Sequence, residues 1–230
     1  MRWISFAQSD SLTRAVVHIL PSTRGGIAAQ PVLCTIELFG DRPESAEVAI
    51  DGMRLNQPDG LRLDEAFPRL KEGGNSLVGI AVNLEPSQQK GDLRNSLCTM
   101  EVLSRSQVVR FAMPLREQEY MRRESIPIIS DRSTQTSLIF ANQGARYAEV
   151  QIVPMAAELV HPMNISISPH SVSEYSLTGS NSQMATPFNC SWGSITVGAA
   201  SVVSQLPAEI AGFIVFRDSA TQKISSVVSL

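Results

Sequence analysis

Arg116-Glu-Gln-Glu-Tyr-Met-Arg-Arg-Glu124 is the densest run of charge in a chain of 230 residues, and it falls near the midpoint between two stretches that read as β-structure. It holds neither Gly nor Pro, and Pro114 stands just ahead, where the fixed φ of proline suits a first helical turn. Residues 116–125 are therefore expected to be a charged linker, helical or stiff, between an N-terminal β-sandwich domain at 1–115 and a C-terminal one at 126–230. Halves of about 110 residues each can bury enough apolar surface to fold without staples.

Outward toward the N-terminus, Arg14–Leu20 is rich in Val and Ile and is closed by Pro21, which marks a strand. Val32–Phe39 alternates, with Cys34, Ile36 and Leu38 on one face and Thr35 and Glu37 on the other. Ala46–Ile50 alternates again, and Asp51-Gly52 signals a hairpin into Met53–Leu55. Leu77–Leu84, Leu97–Leu103 and Val108–Met113 add three strands, with a helical turn expected near Asp64–Leu70.

Toward the C-terminus, Thr136–Ala141 and Tyr147–Val153 flank Asn142-Gln-Gly144 as a hairpin-like pair, and Pro154–Val160 is a second short helical candidate. Asn164–Leu177 alternates apolar and hydroxyl residues around Pro169, and Trp192–Val197 follows as a strand. Ala211–Phe216 and Lys223–Val228 form the clearest hairpin of the chain. With helix confined to turns and the linker, the expected class is all-β, two antiparallel sandwiches in series.

Charge is unevenly shared: 25 charged residues lie in Met1–Leu115 and 10 in Ser125–Leu230, where Ser and Thr make up a quarter of positions. Such Ser/Thr-rich, charge-poor β-segments are common in surface, sheath, capsid and adhesive domains. A net charge of -3 offers no basic field for a nucleic-acid backbone, so nucleic acid is excluded as a partner. No apolar run reaches the roughly 20 residues of a membrane-spanning helix. Met1–Leu12 lacks the apolar core of a secretory signal, which makes the cytoplasm the default compartment, set against the surface or virion-like composition of the C-terminal half. Cys34, Cys98 and Cys190 are too dispersed for a metal cluster, and Cys34 and Cys98 are expected to be reduced and buried.

Thr-Ser-Leu-Ile-Phe-Ala-Asn-Gln-Gly at 136–144, Ile-Ser-Pro-His-Ser at 167–171 and Trp-Gly-Ser-Ile-Thr-Val at 192–197 follow one another in an order that resembles bacterial immunoglobulin-like or fibronectin-like sandwich modules. The resemblance implies an architecture for the C-terminal half and no function.

Nothing in the chain assembles a recognisable catalytic or metal site. His18, His161 and His170 lack the close spacing of paired ligands, and no nucleophile elbow, phosphate loop or dinucleotide fingerprint is present. Neither a cofactor nor catalysis is expected. The leading expectation is a structural, assembly or adhesion protein that pairs with a protein partner or with itself. The alternative is a carbohydrate-binding accessory module with Trp192 and Tyr175 as stacking residues. Because Val227 and Val228 put apolar groups on both faces of the last strand, on which Ile224 and Val227 should fall on opposite sides, the surface over Val228 is expected to be an interface.

Overall fold

The computed structural model describes residues 1–9, 13–23, 26–27, 32–50, 60–72, 76–85, 96–104, 107–114, 121–127, 133–154, 163–177, 192–199 and 210–230. Their contacts divide the chain into two compact units, Met1–Glu117 and Gln118–Leu230. Both are built from antiparallel sheets, so the protein is all-β.

In the first unit, β1 (Arg2–Ser9), β2 (Arg14–Leu20), the two-residue strands β3 (Ser22–Thr23) and β4 (Gly26–Ile27), β5 (Val32–Phe39), β6 (Glu44–Ile50) and β7 (Leu61–Arg62) come first. Single-turn helices α1 (Leu63–Ala66) and α2 (Arg69–Glu72) follow, then β8 (Ser76–Glu85), β9 (Leu97–Ser104) and β10 (Gln107–Ala112). One sheet runs β1-β8-β5-β6 and the other β10-β9-β2-β7. The alternation of β5 does what the sequence demanded: Cys34, Ile36 and Leu38 are buried, opposite Leu84, Val82 and Ile80 of β8. The helical turn expected near Asp64 exists. There burial raises the Asp64 carboxyl pKa, but the hydrogen-bonded Arg62 guanidinium, aided by the charges of Arg62, Lys71 and Arg14, outweighs it and holds the group below the usual carboxylate value.

Cys34 on β5 and Cys98 on β9 belong to opposite sheets and are free and buried. Burial pushes the Cys34 thiol up to about 12, and burial together with Cys34 pushes Cys98 well above the ordinary thiol value. Neither sulfur is a nucleophile at neutral pH, because the thiolate does not form.

Gly79 of β8 lies in register with both Phe6 of β1 and Phe39 of β5, and a β-carbon there would overlap the Phe39 ring. The ring occupies the space that a side chain would need, in the manner of an aromatic covering a strand glycine. Gly79→Ala should cost about 2 kcal/mol of stability by urea unfolding. Adding Phe39→Leu should recover at least half of the loss, and simple additivity of the two costs would show that the ring is not the obstacle.

The second unit contains β11 (Met121–Pro127), β12 (Thr134–Asn142), β13 (Ala148–Pro154), β14 (Met163–Ile167), β15 (Ser171–Ser176), β16 (Trp192–Ala199), β17 (Ile210–Asp218) and β18 (Ile224–Ser229). Its sheets run β11-β16-β13-β14 and β15-β12-β17-β18. They pack face to face through Leu138, Phe140, Ile214 and Phe216 from one and Ala148, Val150, Ile165 and Ile167 from the other. The central strands β12 and β17 are buried on both faces: Ile139, Phe213 and Val215, which point away from that cluster, are fully covered too. This is why Thr136–Ala141 and Ala211–Phe216 read as nearly continuous apolar runs.

Taken in chain order and setting β3 and β4 aside, the eight strands among the described residues of each unit have the same arrangement. In both, the first, sixth, third and fourth strands make one sheet, and the eighth, seventh, second and fifth make the other.

The expected helical linker is corrected in its second half. Met121–Pro127 is a strand, paired antiparallel with β16 from Met121 opposite Gly198 to Pro127 opposite Trp192. Helix propensity is worth a few tenths of a kcal/mol per residue. A ladder along Trp192–Gly198 of β16 gives the main chain of the run its partners and outweighs it. The hairpin expected at Asp51-Gly52 lies outside the described residues; of the helix expected at Pro154–Val160 only Pro154 is described, and it is the last residue of the strand β13.

Candidate functional site

The final hairpin is organised by Asp218. Its carboxylate accepts hydrogen bonds from the main-chain N–H groups of Ala220 (3.1 Å) and Thr221 (2.7 Å) and from the Thr221 hydroxyl (2.8 Å). The Thr221 bonds above all hold this carboxyl below the usual value, because they favour its charged form. Gln222 takes a left-handed conformation with φ of 58°, and Asp218 N–H closes the loop on Lys223 O at 2.9 Å.

Beyond this turn β18 leaves simple alternation. Arg217 pairs with Ile224 but Phe216 pairs with Ser226, so Ser225 is an extra residue, a β-bulge, with its hydroxyl donating to Phe216 O at 3.0 Å. The bulge corrects the expected facing of the strand: Ile224 and Val227, which strict period two puts on opposite faces, are both buried. Val228 lies opposite Ile214 on the core side of the sheet, yet at the rim it is 47% exposed.

Among the described residues β18 pairs only with β17, and so it is an edge. Natural edges are blunted by charge, proline or short length. Glu44 and Glu47 on β6, Arg110 on β10, Pro127 on β11 and Glu174 on β15 do this, and β7 is two residues long. β14 is uncharged but turns Asn164 and Ser166 outward. β18, Ile-Ser-Ser-Val-Val-Ser, has no charge and no proline and shows an apolar side chain to solvent. Val228 is exposed on this strand. The bulge that sets its neighbours was not legible, because nothing in Ile224-Ser225-Ser226 marks which residue is extra.

The two residues considered for sugar stacking belong to different sheets, Tyr175 to β15 and Trp192 to β16. The Tyr175 ring packs against the core, 6.3 Å from the Phe140 ring, and only the backbone of Trp192 is among what is described.

The histidines are equally dispersed. His18 Nε2 is 3.5 Å from Glu101 on the neighbouring strand, where Arg110 Nε also donates to that carboxylate at 2.7 Å. His170 is an exposed turn residue with φ of 49° rather than a strand neighbour of Ser171, whose hydroxyl donates to Ser168 O at 2.7 Å. His161 lies outside the described residues. Among the described residues no three His, Cys, Asp or Glu side chains converge as metal ligands, and no helix is long and apolar enough to cross a membrane, which leaves β-barrel spans unaddressed.

A residue that the sequence reading passed over is Asn142, fully buried at the end of β12. Its Nδ2 donates to Arg146 O (2.7 Å), Ser168 O (3.0 Å) and Ile167 O (3.2 Å), and its Oδ1 accepts from Gly144 N–H (3.0 Å). One side chain thus ties the β12–β13 turn to the β14–β15 turn. The Asn-x-Gly spacing at 142–144 was the available signal, since Asn side chains favour bonds to main chain two residues on.

No family model, no curated protein and no solved structure matches this chain.

Proposed function

We propose that the protein is a non-enzymatic assembly or interaction protein that joins another polypeptide by strand addition at β18. The observation that carries this reading is the uncharged, proline-free edge with Val228 47% exposed on it. Main-chain hydrogen bonds from an incoming strand would supply the attachment, and contact with the exposed Val228 side chain its selectivity. The Ser/Thr-rich, charge-poor composition of the C-terminal half supports the same class.

Val228→Lys should leave the urea midpoint nearly unchanged, since an exposed substitution costs within about 0.5 kcal/mol. It should weaken association by at least about tenfold, because a lysine on an edge opposes pairing. Sedimentation velocity of fluorescently labelled wild type and variant, purified and in cell extract, reads the difference. If both proteins sediment identically as monomers in both settings, the reading fails.

A further inference from the structure

We draw no further inference here: the strongest candidate, the surface patch at the β13–β14 end of the second unit where the exposed Tyr147 precedes β13 and the exposed Glu149 stands opposite Ser166, carries nothing, because nothing in the structure shows what covers it.

Discussion

Asn142→Ala is expected to destabilise the second unit by about 3–5 kcal/mol, among the largest effects available to one polar substitution. The side chain is fully buried and makes four hydrogen bonds, all to main chain. Truncation leaves Gly144 N–H and Ile167 O buried without that partner, and each orphaned group costs about 1–3 kcal/mol. Arg146 O and Ser168 O are partly open to water and add less. Asn142→Asp supplies a sharper contrast: it keeps the acceptor for Gly144 but turns a carboxylate toward three carbonyl oxygens, and it should be at least as destabilising at neutral pH. Urea unfolding followed by near-ultraviolet circular dichroism reads both variants. A loss below about 1 kcal/mol for Asn142→Ala would mean that water replaces the amide and that the two turns are not held by it.

The second large effect belongs to Arg217 and Glu174. Arg217 Nε and Nη2 donate to the two Glu174 oxygens at 2.7 and 2.9 Å, and Nη1 donates to Gln222 O at 3.0 Å. The pair spans β12, from β15 to β17, and also grips the turn before β18. The arginine side chain is 7% exposed and the glutamate 26%. Breaking a buried pair by removing one partner costs about 3–5 kcal/mol, and the partial exposure of Glu174 brings the expectation for Arg217→Met to about 2–3 kcal/mol. Arg217→Met combined with Glu174→Leu should recover most of that loss, because no charge is then left buried. If the double variant is as unstable as the sum of the two single ones, the pair is not coupled and the guanidinium acts by packing alone.

Several elements were legible in the amino-acid order because they depend on local periodicity and turn chemistry. Val32–Phe39 alternates over half-buried β5, the apolar run at Ala211–Phe216 marks the doubly buried β17, and Asp218 with Thr221 writes its own turn. The candidate edge was legible only in part. Val227-Val228 announced apolar groups on two faces, but the sequence does not mark which face water reaches, since that depends on where the facing sheet ends. Asn142 announced a turn but not that Ile167 and Ser168, from another turn, would supply its acceptors.

The all-β class, most strand positions and the poverty of charge on β18 are thus properties of residues and their near neighbours. Long-range pairing settled the rest. It drew the C-terminal part of a helix-prone charged run into β11 because β16 offered a complete ladder. It placed a bulge at Ser225, where the pairing of β17 with β18 shifts between Phe216 and Arg217. It also gave two stretches of very different charge content the same strand order, since order is set by which backbones pair at long range and side-chain charge leaves that choice open.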